Sequence, residues 1–576
     1  MHSIQGHKYR WKLPNINQQE TMAVAASYNL SVPIAQTVLS RGFLSPQSIE
    51  SYLFTSYEKE VAHPSLLKGA QKAVSRIIRA IEDKEKILVA GDYDVDGITS
   101  ASLMMICLIP LGAQVNFFLP HRVRDGYGLS TKVVERAAEN NYRVIITVDN
   151  GITAFEPAQK AKKLGIDLII TDHHRPHEEV PDAFAIINPH QNDCPYPYKK
   201  FAGVGVGFKI LSLLYEQLKM PLPAKAYELL LLGTVADVVP LTGENRYWVR
   251  YGLSYINNYE SSSLKILKQN GNVVRASLSS TDIGFSITPQ INALGRLEDP
   301  REGVKFLIGS DLSTVERVGT VLLELNQTRK EIERTIFAEI KREIDTGAIN
   351  IKEENIIIAA SASWPPGVIG LVASRLVGAY GKPAILFHIT KDGIAKGSCR
   401  SIAEFNIFEA LQENRELLIS FGGHAAAAGL ALRVDVIAEL KQRLEARISS
   451  TVTPEDLQQK IVLDAHLNLP DITAKFMKDM DYLQPFGHEN PAPIFYLQNV
   501  VMVQAPILMK DAHVKCSVFA EGVIKPLVFF NRPELFDYLR NQGTDPFDVA
   551  VQVTQNHWNN KITLELLGVD IAGSVI

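Results

Sequence analysis

Cysteine is scarce. Cys107, Cys194, Cys399 and Cys516 are far apart and form no CxxC pair. That pattern supports neither a zinc ribbon nor a disulfide framework, and it fits a reducing cytoplasm. Positive charge is not in excess either: 59 Lys and Arg stand against 63 Asp and Glu, for a net charge of -4. Bulk charge therefore does not mark a nucleic-acid binder, and any such binding must rest on local clusters. Long hydrophobic runs are missing. The most apolar stretch, residues 101–120, is broken by Pro110, Gln114 and Asn116 and reads as a buried helix followed by a buried strand, not a membrane span. The first residues, MHSIQGHKYRWKLP, lack the apolar core of a signal peptide. No membrane partner is expected, and neither an internal repeat nor a low-complexity tract is present.

What is there is ordinary globular composition, 46% hydrophobic and 21% charged. At 576 residues the chain needs three or four cores. From about residue 85, short apolar runs alternate with helical patterns. The runs are Lys86–Ala90, Gln114–Leu119, Arg143–Val148, Leu168–Thr171 and Ala183–Ile187. Between them, Ser130–Asn140 and Ala154–Leu164 repeat apolar residues every three or four positions. This predicts an α/β domain with a doubly wound parallel sheet. Residues 311–347 read as one long helix, with Leu325, Ile332, Ile336 and Ile340 on one face and Arg329, Lys330, Glu331 and Glu333 on the other. A second α/β unit follows, then a linker at Ser449–Pro454, then β-rich runs that predict a small barrel. The resulting division is a 1–60 N-terminal segment, a 61–310 catalytic domain, a 311–348 connecting helix, a 349–450 second α/β domain and a 451–576 barrel.

Three of the apolar runs end alike. The first leads into GDYDVDG (91–97), the third into DNG (149–151) and the fourth into DHH (172–174). In a doubly wound sheet, ligands bind beyond the carboxyl ends of the strands, so the three clusters should share one crevice. Carboxylates packed together resist joint ionisation, and a divalent cation resolves the conflict. Carboxylate and imidazole ligands without thiolate suit Mn²⁺ or Mg²⁺. Their number suggests two ions about 3.5–4 Å apart, the arrangement that clamps attacking and leaving oxygens in phosphoester hydrolysis. DYDVDG also opens like a calcium loop, but Leu103 stands where that loop requires glutamate. Asp149 alone would be a turn residue, and the histidines alone solvated; the joint occurrence is what argues for a metal. His177 reads as a loop residue.

DYDVDG, TVDNGIT, TDHH and GTVADVVPL, in this order, resemble the DHH phosphoesterase superfamily. LPHRVRDGYGLS (119–130), NPHQNDCPYPYKKFAGVGVGFK (188–209), INALGR (291–296), WPPGVIGLVASRL (364–376), FGGHAAAAGL (421–430) and LQPFGHENPAPIF (483–495) narrow the resemblance to its single-strand-specific exonuclease family, RecJ. It spans about residues 80–570. The resemblance implies a DHH catalytic domain, a DHHA1 nucleic-acid-binding domain and a C-terminal OB-like barrel. It implies Asp94, Asp96, Asp149, His173 and Asp237 as metal ligands, Asp149 bridging two ions. His174 would face the scissile phosphate, with Asp172 orienting the histidines; Asp92 would act in the same catalytic group. Arg122, Asn292 and Arg296 are suited to phosphate, as the fork of a guanidinium is. Arg400 and Ser401 would contact the strand's phosphates, and Gly422, Gly423 and His424 would let backbone approach an anion.

The implied activity is metal-dependent 5′-to-3′ hydrolysis of single-stranded DNA in repair and recombination. Single-stranded DNA is the expected partner, with a helicase and a single-strand-binding protein beside it, and the chain is expected to be a monomer. A phosphodiesterase of short oligonucleotides and a non-catalytic repair scaffold are the competing readings. Taken without the family, GGHAAAAGL reads as a turn against a small-residue helix. Phe486, Phe495, Tyr496 and Trp558 are candidate stacking platforms in the barrel. Cys399 beside Arg400 is a weak candidate nucleophile. The chain departs from the family pattern at Gln290, at Trp364-Pro365-Pro366-Gly367, at Cys399 and at Glu489, and none of these is an implied metal ligand.

Overall fold

Strand residues in the catalytic sheet alternate between two buried faces. Ile87, Val89, Val144, Ile146 and Ile169 enter one core, while Leu88, Ala90, Ile145, Leu168 and Ile170 enter another. Only a sheet covered by helices on both sides needs that pattern. The computed structural model describes residues 3–573, except Ile16, Val123, Ala276, Ser310, Asn559 and Asn560, with the side chains of residues 557, 558, 561 and 562 also outside the description. The chain makes two compact units. One is Glu50–Lys330 with Gln484–Pro491; the other is Met1–Ile49 with Glu331–Leu483 and Ala492–Ile576.

In the first unit, β1 (Lys86–Ala90), β2 (Gln114–Phe118), β3 (Tyr142–Val148), β4 (Asp167–Thr171) and β5 (Ala185–Ile187) pair in the order β2-β1-β3-β4-β5. All pairings are parallel. This is a doubly wound order whose switch point lies beside β1 and β3. Helices α1 (Ala70–Glu82), α2 (Val95–Leu108) and α5 (Gly203–Gln217) contribute to one core, and α3 (Thr131–Glu139) and α4 (Phe155–Lys163) to the other. One expectation is corrected: β2 is not buried. It is an edge strand, paired on one side only, with Gln114 and Asn116 turned to solvent. Helix α6 (Lys225–Ala236) packs on α2 and α5. Further on, a helical turn at Ser280–Asp282, a π-turn at Ile283–Ile287 and α7 (Thr288–Leu297) follow without a break.

The long helix is α8 (Leu312–Asp345). Asp311 starts it by accepting the Ser313 and Thr314 N–H groups and hydroxyls. Arg329 corrects the expected polar face: it is buried, and its guanidinium donates to Asn326 one turn earlier.

The second unit holds a mixed sheet of β6 (Ile357–Ser361), β7 (Ala384–Ile389), β8 (Ile394–Arg400), β9 (Leu418–His424) and β10 (Ala427–Arg433), in the order β9-β10-β8-β7-β6. The alanine run does not make a helix. Ala425 and Ala426 turn a hairpin, and Ala427 and Ala428 begin β10, because pairing on both sides with β8 and β9 overrides alanine's helix propensity. The five-stranded barrel is β11 (Phe495–Met509), β12 (His513–Ala520), β13 (Val523–Phe529), β14 (Phe547–Trp558) and β15 (Lys561–Gly573). It closes as β11-β12-β13-β15-β14-β11, with β13 and β15 parallel, the partly open Greek-key arrangement of an OB-fold. In the same unit, Arg10–Lys12 pairs with Lys460–Val462, and the Asp570 carboxylate accepts the Lys8 and Tyr9 N–H groups and the Trp11 indole.

Candidate metal centre

β1, β3 and β4 are neighbours in the sheet, so the three chemistry-bearing loops leave it side by side. After β1, Asp94 caps α2 by accepting the Gly97 N–H at 3.1 Å. Gly97 permits this because a Cβ there would lie 2.4 Å from the Asp92 carbonyl oxygen. Two residues on, Asp96 is 1% exposed, and its carboxylate accepts the Gly203 and Val204 N–H groups at 2.5 and 2.8 Å. These are the first amides of α5, where a helix end favours an anion. After β3, Asp149 adopts φ 61°, a left-handed turn that aims its carboxylate at the same point. After β4, Asp172 turns inward and takes the His173 and His174 N–H groups at 2.7 and 3.1 Å, and the Ile152 N–H at 2.9 Å. Asp237 ends α6.

His173 joins the set. Its Nε2 lies 3.1 Å from Asp149, 3.6 Å from Asp237 and 4.0 Å from Asp96. Three triads each bring their ligand atoms within 4.8 Å: Asp92, Asp94 and Asp149; Asp149, His173 and His174; Asp96, His173 and Asp237. Asp149 belongs to two of them, as a bridging carboxylate between neighbouring ions would. Burial, then the adjacent Asp94, pushes the Asp96 carboxyl up to about 7. Burial raises Asp92, Asp149 and Asp237 too, reinforced by the other carboxylates. Burial also depresses the His173 imidazole to about 4, leaving it neutral, as a metal ligand must be.

The donor set fits a divalent cation. Asp92 Oδ1 and His173 Nε2 are buried without a hydrogen-bond partner, a costly arrangement unless something else binds them. Oxygen and imidazole donors without sulfur suit Mn²⁺ or Mg²⁺.

His174 is different. Its Nδ1 meets Asp172 Oδ1 at 2.7 Å, leaving Nε2 as the free nitrogen. Burial works against the imidazolium, but the Asp172 carboxylate outweighs it, and the His174 pKa stands above the usual histidine value. Burial would likewise raise Asp172; its bonds from His174 and the backbone hold it below the usual carboxylate range.

Arg122 lies over the Tyr93 ring, 4.4 Å from its centroid, and its charge acts on Asp92. Asn292 and Arg296 are on α7, which presses on the metal loop: a Cβ on Gly295 would stand 2.0 Å from the Tyr93 carbonyl oxygen. In the second unit, Arg400 and His424 both lie opposite Ala427, in one row across three strands. The Arg400 guanidinium donates to the Cys399 carbonyl, and the Ser401 hydroxyl donates to the Phe405 carbonyl. Gly422, Gly423 and His424 are exposed, and Gly423 has φ 140°.

Sequence reasoning missed several parts of the site. The Tyr127 hydroxyl donates to the Asp149 carbonyl at 3.2 Å and sits 3.4 Å from His174 Nδ1. The Asn150 amide ties β1 to β3 by donating to the Ala90 and Val148 carbonyls. Gly203 lets α5 approach Asp149. Tyr127 and Gly203 both lie inside stretches already singled out, but as one letter among many. Other readings are corrected. Cys399 is buried with its thiol pushed up to about 12 by burial, so it is no nucleophile. Phe495 and Tyr496 belong to buried cores, Phe486 lies in the first unit, and the Trp558 side chain is outside the described residues. The expectation for His177 holds: it lies in a loop, its ring 6.2 Å from Phe155.

Pooled carboxylates and imidazoles at adjacent strand ends of a doubly wound sheet define a metallophosphoesterase of the DHH type. The profile described as "DHH family, N-terminal domain" matches residues 86–234, "DHHA1 domain" matches 353–450 and "RecJ OB domain" matches 463–570. The single-stranded-DNA-specific exonuclease RecJ of Bacillus subtilis is 35% identical over 573 residues, covering 98% of this chain and 71% of that protein. Its Escherichia coli counterpart is 35% identical, covering 79% and 81%. The Mn²⁺-bound crystal structure of Thermus thermophilus RecJ matches with a TM-score of 0.83 at 26% identity, covering 98% of this chain and 80% of that one. The chain belongs to the RecJ family.

Proposed function

We propose that this chain degrades single-stranded DNA from its 5′ end, one terminal phosphodiester at a time, in DNA repair and recombination. It is a metal-dependent enzyme. The observation that carries the reading is the triple cluster in which Asp149 and His173 are shared, since such sharing suits two adjacent ions. Asp94, Asp96, Asp149, His173 and Asp237 would hold Mn²⁺ or Mg²⁺, with Asp92 beside them. Cations held there would supply an activated water and stabilisation of the charge developing on phosphate. Asp172 holds His174 by Nδ1, so its protonated Nε2 can donate to the scissile phosphate. Arg122, Asn292 and Arg296 position the strand's phosphates near the site. The row of Arg400 and His424, with Ser401, Gly422 and Gly423 beside it, supports a second set of backbone contacts in the DHHA1 domain, assigned to residues 349–450. Catalysis is assigned to residues 61–310 and further strand binding to the barrel at 451–576. A cytoplasmic monomer supplied by a helicase and a single-strand-binding protein completes the proposal. It is tested with one strand labelled at either end, Mn²⁺ or Mg²⁺, and the Asp149→Ala chain. Loss of 5′ nucleotides by the wild type alone is expected; release only from the 3′ end, or no release, overturns it.

A further inference from the structure

Phe285 is the puzzle of the first unit. It is 81% exposed, a cost for any aromatic ring with no partner. It sits in the π-turn Ile283–Ile287, and π-turns inside α-helices recur at functional sites. The helical run from 283 to 296 buries Ile283, Ile287, Thr288, Gln290, Ile291, Ala293, Leu294 and Gly295. Along the other side, Phe285, Pro289, Asn292 and Arg296 remain accessible. Their spacing of four, three and four residues is that of one helical stripe. The stripe therefore starts with a bare aromatic face and ends with an amide and a guanidinium.

One close approach and one charge tie that stripe to the chemistry. Gly295 lets α7 press on the Tyr93 carbonyl within GDYDVDG, and the Arg296 charge acts on the Tyr93 phenol. The π-turn is itself supported: the buried Gln290 amide donates to the Ser286 carbonyl at 2.7 Å and to the Leu267 carbonyl at 2.8 Å. Gln290 thus points inward and holds the turn that presents Phe285. At the start of the run, Arg275 lies 3.9 Å from Asp282.

We propose that Phe285 is a base-stacking platform for the single strand, at the far end of a track whose near end, Asn292 and Arg296, takes phosphates beside the metal centre. This rests on the exonuclease reading above. Every base offers a π-face, so the contact would be sequence-tolerant, as an exonuclease requires. Eleven residues of helix separate Phe285 from Arg296, about 16 Å at 1.5 Å per residue. The stacked base is therefore internal to the strand and not the terminal one.

The test uses the full chain with Mn²⁺ and oligonucleotides carrying one abasic site, moved stepwise from the degraded end. The wild type should show raised KM at one internal abasic position. Phe285→Ala should raise KM about 5- to 20-fold on intact strands, within the range a lost aromatic–base stack gives, and should lose that positional dependence. Phe285→Tyr should restore both. An unchanged Tm separates this from misfolding. A wild type that degrades DNA with no abasic dependence, or Phe285→Ala with wild-type KM, overturns the platform and leaves the face to a protein partner. A wild type that releases no nucleotide overturns the exonuclease reading, and the platform with it.

Discussion

Gly203 and Asp149 stand so close that a Cβ on Gly203 would lie 2.5 Å from the Asp149 Cβ and 2.8 Å from its Oδ1. The glycine that begins α5 thus sets the position of the shared carboxylate. Gly203→Ala should weaken Mn²⁺ binding about 10- to 100-fold, the usual cost of disturbing a ligand's support. It should lower kcat about 100-fold, because small misplacements are amplified in the rate. Gly207, one turn further along α5, meets nothing closer than the Met104 Cε at 3.4 Å. Gly207→Ala should therefore keep most activity. Calorimetric Mn²⁺ titration and initial rates on both variants check the contrast; equal behaviour would remove the role given to Gly203.

Asp172→Asn keeps the shape of the DHH loop and removes the charge that raises the His174 pKa. If His174 acts protonated, kcat falls as pH rises through its pKa. The variant should move that alkaline limb to lower pH and cut kcat about 100-fold or more, the scale of lost acid–base catalysis. The fall in kcat should exceed the change in Mn²⁺ affinity. An unmoved pH limb would refute the Asp172–His174 coupling.

Stability without metal should fall as pH rises from about 5 to about 8. Asp92, Asp96, Asp149 and Asp237 have raised folded pKa values, Asp96 to about 7. Between the unfolded value and the raised one, the folded chain holds more protons than the unfolded chain, so stability drops with pH. His174, also raised, has the same sign: its contribution is present below its unfolded pKa and lost as pH passes the folded one. His173, depressed to about 4, and His190 and His466, also depressed by burial, oppose them by destabilising the fold as pH falls below their unfolded values; with Glu228 raised by burial as well, they are three groups against six. Mn²⁺ should restore Tm, and more at pH 8 than at pH 5, because binding displaces protons. Thermal scans with chelator and with Mn²⁺ check this; a metal-free Tm that climbs with pH contradicts it.

Glu489 has φ 56°, a left-handed turn that favours glycine. Its carboxylate meets Lys200 at 2.6 Å on the surface, a contact worth only ~0–1 kcal/mol. Relief of the turn is worth roughly 1 kcal/mol. Glu489→Gly should therefore leave stability unchanged or raise it by up to about 1 kcal/mol, read from denaturant unfolding. A loss above that size would mean the ion pair matters more than the turn.

Much of this was legible in the sequence because strand ends are local. Three apolar runs terminated by Asp and His at short range single out the candidate ligands Asp94, Asp96, Asp149 and His173 without any tertiary knowledge. Asp237 needed the family motif, since nothing about GTVAD alone points to a metal. What stayed hidden depends on approach between distant segments. Gly203 reads as one more glycine until α5 is seen against Asp149. Arg329 looks solvent-facing by helical spacing, yet it is buried beside Asn326. The run Ala425–Ala428 favours a helix by propensity, and only its partners β8 and β9 make it a hairpin. The π-turn at Phe285 shifts the helical register by a residue, which no periodicity over so short a stretch reveals.

The Asp570 carboxylate holds Trp11 across 559 residues of sequence. A ribosome delivering ~5–20 residues per second needs roughly half a minute to two minutes to supply both partners. For that interval the indole, which is wholly covered in the finished protein, has no pocket to enter, although the parallel sheet ending at Ile187 is complete in sequence well before the interval closes. The order of birth thus leaves the Arg10–Lys12 strand waiting for Lys460–Val462 and Asp570, with an uncovered indole that a chaperone could shield.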